Sequence, residues 1–191
     1  MGKKIAIYGA GTIGACQATL TSGNGYSTIV IGHSEEGLSR CRNTMLQNWN
    51  DLIAQKLATA ANRRAAMDLV TITNDVSALR DCDIVFEAVS EDVNIKQRVY
   101  SIITEVCGRD IIVASTTSSI DAAILAEKIE NPARFLIAHP FQPVHMLPLV
   151  EVVRHTETSE ETLNQVCTLL KDLTLSTVTI FVDLRRPCSS S

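Results

Sequence analysis

At 191 residues, 46% hydrophobic and 20% charged, the chain can build one good core and has the composition of an ordinary soluble domain. A formal charge of −4 and an aromatic content of only 4% argue against nucleic acid or an acidic membrane as partner. Lys3-Lys4 leads into Ile5-Ala6-Ile7-Tyr8, a short run of strand type, which ends on glycines and is followed by a helix over 15–20. Asn24-Gly25 marks a turn before a strand at 27–31. Ser34 suits an N-cap, with Glu35 and Glu36 in the first turn, and a long, largely polar helical region is expected from 34 to 66. Strands are expected at 69–73 and 83–89 with a short helical turn at 76–79 between them. A helix at 93–106, a strand at 111–114, a helix at 120–129 ended by Pro132, and a strand at 135–138 follow. Beyond Pro140 the pattern changes to a proline-rich loop, a strand at 149–153, a helix at 159–170 and a strand at 176–182, with an irregular tail at 183–191. Strands alternating with helices predict an α/β doubly wound, mostly parallel sheet, with residues 1–182 as one domain.

Gly9-Ala10-Gly11-Thr12-Ile13-Gly14 is a G-x-G-x-x-G match lying between a strand and a helix, and it makes residues 1–182 a dinucleotide-binding domain by expectation. Gly9 would permit the turn off the strand, Gly11 would let a pyrophosphate approach the backbone, and Gly14 would let helix and strand pack closely. The second strand often ends in an acid that bonds the adenosine ribose; here Gly32 stands there, followed by His33 and Ser34. Two readings stay open. Backbone groups hold the ribose of NAD, or His33, Ser34 and Arg40 or Arg42 meet the 2′-phosphate of NADP, with Glu35 and Glu36 opposing the latter.

His139 follows the sixth strand at the carboxyl edge, where open parallel sheets bind ligands. Glu151 lies among Leu149, Val150, Val152 and Val153, where a carboxylate needs a partner if it is buried. An imidazole is a natural one, and a His base beside a nicotinamide would take the proton of an alcohol as its hydride leaves. The alternative is a Glu151 turned to solvent from an edge strand. Thr116-Thr117-Ser118-Ser119, after the fifth strand, offers hydroxyls for a substrate oxygen or serves only as turn chemistry. Cys16, Cys41, Cys82, Cys107, Cys167 and Cys188 show no metal or redox spacing, which suggests reduced packing thiols in a cytoplasmic protein. No metal site is expected. Strand character so close to the N-terminus leaves no room for a signal peptide, and no apolar run is long enough to span a bilayer.

Together, GAGTIG at 9–14, FEAVSEDVNIK at 86–96, STTSS at 115–119 and HPFQPVHMLPLVEVV at 139–153 resemble the L-3-hydroxyacyl-CoA dehydrogenase family. Its relatives include the lambda-crystallin-type L-gulonate dehydrogenases and the carnitine dehydrogenases. The resemblance implies a Rossmann-type domain that binds NAD, with NADP admitted by Gly32, and oxidation of an L-3-hydroxyacyl-CoA to the 3-ketoacyl-CoA. It implies His139 as general base, Glu151 as its orienting partner and Ser118 on the substrate oxygen. Glu91 and Lys96 would lie by the ribose and nicotinamide end of the cofactor. Gln142 replaces an Asn common in the family, and His145-Met146-Leu147-Pro148 resembles the gulonate and carnitine branch, which widens the substrate class. Where the family continues into an all-helical domain of roughly one hundred residues, this chain runs Arg185-Arg186-Pro187-Cys188 and stops shortly after. That domain would close the cleft and form the family's homodimer. A non-catalytic NAD(P)-binding or structural protein, and a domain completed by a partner chain, are the competing expectations.

Overall fold

In the computed structural model, residues 3–147 and 149–173 are described, together with the backbone of 180–182. Short β-branched and aliphatic runs form the strands β1 (Lys4–Tyr8), β2 (Ser27–Ile31), β3 (Val70–Thr73), β4 (Ile84–Glu87), β5 (Ile112–Ser115), β6 (Phe135–Pro140), β7 (Val150–Arg154) and β8 (Ile180–Val182). The helices are α1 (Thr12–Gly23), α2 (Glu35–Ala54), α3 (Ala60–Asp68), α4 (Val93–Cys107), α5 (Ala122–Ala126) and α6 (Glu160–Leu173). Single 3₁₀ turns occupy Val76–Asp81 and Pro132–Arg134.

The sheet runs β3-β2-β1-β4-β5-β6-β7-β8, parallel throughout except for the antiparallel pairing of β6 with β7. Chain order therefore reverses between β1 and β4, which opens a crevice at the carboxyl ends of those two strands. Strand residues alternate between two cores. Ile5, Ile7, Val30, Phe86 and Leu136 pack on one face with Ala15 and Ala18 of α1, Met45 of α2 and Leu170 of α6. Ala6, Ile29, Val85, Val113 and Phe135 pack on the other with Tyr100 and Ile103 of α4 and Leu125 of α5. The expected doubly wound α/β architecture is present, with helices on both faces of a mostly parallel sheet.

Two expected helices differ. The single helix over 34–66 is two, because Lys56 turns the chain with φ 61° and Thr59 starts α3 afresh. Thr59 Oγ1 accepts from Asn62 N–H at 3.2 Å while Asn62 Oδ1 accepts from Thr59 N–H at 2.9 Å, a reciprocal cap that satisfies two helix-end donors. The helix expected at 120–129 shortens to Ala122–Ala126, capped by Asp121. Ser34 caps α2 as expected, accepting from Gly37 N–H at 3.2 Å. The tail at 183–191 and the first residues of the last expected strand lie outside the described residues.

Candidate active site

The first turn of the chain forms one wall of a groove of about 290 Å³ at the β1–β4 crevice. Gly9 holds φ +136°, a conformation side chains oppose, and a Cβ on it would stand 2.3 Å from the Ala88 carbonyl oxygen. A Cβ on Gly14 would stand 1.9 Å from the Gly9 carbonyl oxygen and 3.3 Å from Ile7. Both positions exclude a side chain so that α1 can start against β1. Gly11 differs: its backbone is extended, and a Cβ there would meet nothing within 4 Å. No side chain caps α1 at Gly11. The opening N–H groups of α1 and the positive end of its dipole are thus available to an anion, with space for it in front of Gly11. Thr12 is exposed on this groove; Ile13, half-buried, does not line it and can contribute only backbone. A cradle open at Gly11 and bounded by Ala88, Val89 and Ser90 suits the pyrophosphate of a dinucleotide.

Gly32, at the end of β2, is buried, and its N–H donates to the Thr73 carbonyl at 3.0 Å. His33 is exposed and lines the groove together with Gly37, Arg40 and Thr44; Arg42 and Ser34 do not.

Across the crevice, Glu87 is fully buried at the end of β4. It accepts from Lys96 Nζ at 2.8 Å, Tyr100 Oη at 2.8 Å and Ser115 Oγ at 2.7 Å, so the carboxylate is satisfied by an ion pair and two hydroxyls. Lys96 is itself 1% exposed and also lies 3.3 Å from Glu91. It sits beneath the groove, joined to the surface through Glu91. Glu91 is over a third exposed and clamps the loop after β5: it accepts from the Ser118 N–H at 3.1 Å, from the Ser119 hydroxyl at 3.0 Å and from the Thr117 hydroxyl. Partial burial pushes the Glu91 carboxyl up, but the hydroxyls of Thr117 and Ser119 and the Lys96 ammonium outweigh it and hold the group at about 2.

A second cleft, of about 310 Å³, lies over the ends of β5, β6 and β7. Its walls include Ser118, Ser119, Ile137, Val153, His139 and Glu151. His139 and Glu151 are register partners of the antiparallel pair, with His139 Nδ1 3.5 Å from Glu151 Oε2. Their side chains are 25% and 33% exposed, so Glu151 is not buried among its aliphatic neighbours. Val150 and Val152 face the core, and the intervening Glu151 turns to the cleft, as strand alternation requires. Glu91 ties the two clefts together: Ser90, next to it in the chain, lines the first, and the Ser118 it holds lines the second.

Of the residues singled out from the sequence, Gly9, Gly11, Thr12 and His33 line the first cleft, and His139, Glu151 and Ser118 share the second. Gly14 and Gly32 stand behind the groove as packing positions, and Lys96 lies below it. Glu87 was not singled out. Its signal was an acid closing the apolar run Ile84-Val85-Phe86. In the β6–β7 loop, Gln142 is exposed, and burial pushes the His145 imidazole down, partly opposed by Asp51. Among the described residues the cysteines at 16, 41, 82, 107 and 167 are free, and no helix is long and apolar enough to cross a membrane.

Comparison with known proteins agrees with this geometry. Residues 4–183 match the sequence profile of the family described as 3-hydroxyacyl-CoA dehydrogenase, NAD binding domain. The chain is 34% identical to the L-carnitine dehydrogenase of Bacillus cereus over 85% of its own length and 49% of that protein's. It is 32% identical to the 3-hydroxyadipyl-CoA dehydrogenase of Escherichia coli over 90% of its length and 35% of that protein's. The crystal structure of the (S)-3-hydroxybutyryl-CoA dehydrogenase of Ralstonia eutropha superposes with a TM-score of 0.89 at 29% identity, covering 95% of this chain and 64% of that one. The chain thus spans half or less of the length of these two curated relatives.

Proposed function

This chain belongs to the 3-hydroxyacyl-CoA dehydrogenase NAD-binding-domain family, and on that footing we propose that it serves hydride transfer between NAD and a 3-hydroxyacyl-CoA, with His139 and Glu151 as its acid–base pair. The observation that carries this reading is the shared cleft: a His–Glu pair at 3.5 Å, and Ser118 in the same walls, beside an open glycine-turn groove. Gly9, Gly11 and the first turn of α1 hold the pyrophosphate, and Ser90 borders the groove next to Glu91, which holds the Ser118 N–H of the second cleft. The nicotinamide, when bound, supplies the hydride acceptor.

The residues of the chain do the rest. Glu151, facing Nδ1, keeps the proton on that nitrogen and leaves Nε2 to take the substrate hydroxyl proton. It then stabilises the imidazolium that results. The Ser118 hydroxyl bonds the substrate oxygen, and Glu91 fixes the loop that presents it. In the reverse direction His139 returns the proton to the forming alkoxide. The free thiols of Cys16, Cys41, Cys82, Cys107 and Cys167, among the described residues, support placing this reaction in a reducing, cytoplasmic compartment. A carnitine- or gulonate-type 3-hydroxy acid is the second reading for the substrate, favoured by the identity to L-carnitine dehydrogenase.

The test is reduction of a short 3-ketoacyl-CoA by NADH, followed at the absorbance of the reduced nicotinamide. Turnover that falls by about 10²–10⁴ in His139→Gln, with NADH affinity retained, is the expected result. Turnover equal in wild type and His139→Gln, or NADH binding without turnover of any 3-keto or 3-hydroxy substrate, would overturn the assignment in favour of a non-catalytic cofactor-binding protein.

A further inference from the structure

In an open nucleotide-binding sheet, the end of the strand after the glycine turn faces the ribose of the adenosine half. An acid there bonds the 2′-hydroxyl and repels a 2′-phosphate, whereas a nearby arginine accommodates one. At the end of β2, Gly32 offers no side chain, and the space its Cβ would enter is taken by Leu38 Cδ2 at 2.5 Å and Ala10 Cβ at 2.8 Å. The two acids that follow in sequence each have a partner. Glu35 accepts from Asn74 Nδ2 at 3.1 Å, and Glu36 pairs with Arg40 one helical turn on. Neither lines the groove. The groove wall at this end consists of His33, Gly37, Arg40 and Thr44, which bring a guanidinium, an imidazole and a hydroxyl but no carboxylate. Arg40 Nη2 lies 3.9 Å from the point a Cβ on Gly37 would occupy, so the guanidinium lies over a position with no side chain to screen it.

The geometry points to a 2′-phosphate subsite built from Arg40 and His33, which lets this groove take a 2′-phosphorylated nicotinamide dinucleotide as well as NAD. The inference rests on the groove being a dinucleotide site. A guanidinium presents paired donors that match two phosphate oxygens, so Arg40 exchanges its exposed partner Glu36 for the phosphate. The surface pair it gives up contributes little.

Direct calorimetric binding of ADP-ribose and of 2′-phospho-ADP-ribose to the whole chain tests this without nicotinamide or turnover. The phosphorylated ligand is expected to bind about tenfold more tightly at low salt, and the gap is expected to shrink as salt rises. Arg40→Ala should bring the ratio of the two dissociation constants to about one, and Glu36→Gln, which frees the guanidinium, should widen it. Arg40 and Glu36 are both exposed, so neither variant threatens the fold. Equal or weaker binding of the phosphorylated ligand, or a ratio that Arg40→Ala leaves unchanged, overturns the subsite while the dinucleotide groove stands. Binding of neither ligand overturns the groove itself.

Discussion

His139 and Glu151 stand directly opposite each other on β6 and β7, with Nδ1 and Oε2 3.5 Å apart on the cleft face of the sheet. The antiparallel turn between the two strands converts a separation of twelve residues into a cross-strand contact. Without the reversal at 141–149, the two groups would lie on strands with no reason to share a register. If the pair acts as one unit, as the proposed function has it, His139→Gln and the double variant with Glu151→Gln should lose nearly the same rate, about 10²–10⁴, with Glu151→Gln alone losing less. Steady-state kinetics on the three variants checks this, and strictly additive losses would contradict the coupling.

The Glu87–Lys96 pair is closed to solvent, and removing one partner strands a charge. Lys96→Met should destabilise the chain by about 3–5 kcal/mol, and adding Glu87→Gln should restore much of that loss. Urea unfolding of the two variants measures it. A Lys96→Met chain as stable as wild type would mean that the pair is dispensable.

Glu91 gives a pH dependence with a definite sign. Its folded value of about 2 lies below its ordinary 4.5, so its contribution is complete above 4.5 and fades as pH falls toward 2. The stability difference between wild type and Glu91→Gln should therefore hold steady from neutral pH to about 5, then narrow toward about 2. Denaturant midpoints taken across that range decide the point; a difference that grows in acid would reverse the assignment.

Gly14→Ala places a methyl group 1.9 Å from a backbone oxygen at the start of α1. A loss of about 1–3 kcal/mol in folding stability is expected, with cofactor binding weakened as a consequence of the displaced helix. Thermal unfolding with and without nucleotide separates the two effects.

Much of this was legible in the sequence because local signals and tertiary demands agree. The glycine turn sits where strand gives way to helix, and the strands expected between 4 and 154 are all present. Ser34 carried its capping role into the structure unchanged. The break between α2 and α3 was hidden because Lys56, an ordinary helix former, holds the left-handed turn, and because the cap at Thr59 uses Asn62 in place of the usual Glu or Gln. The burial argument aimed at Glu151 applies more fully to Glu87. A single acid in an apolar strand does not reveal which face it takes, and only packing shows that Tyr100, Lys96 and Ser115 converge on it. Lys96 was expected, by resemblance, beside the ribose and nicotinamide end of the cofactor; that it is buried against Glu87 is a matter of packing that its position in the helix does not reveal.

The most direct measurement is calorimetric titration of wild type and Gly11→Val with NADH. Gly11 alone in the fingerprint has an ordinary φ of −82° and open space before it, so valine should leave stability within about 1 kcal/mol of wild type. The same side chain fills the approach to the first turn of α1, and NADH affinity should fall by about tenfold or more. A Gly11→Val chain that binds NADH as wild type does, or a wild-type chain that does not bind it, would contradict the assignment of this groove to the cofactor.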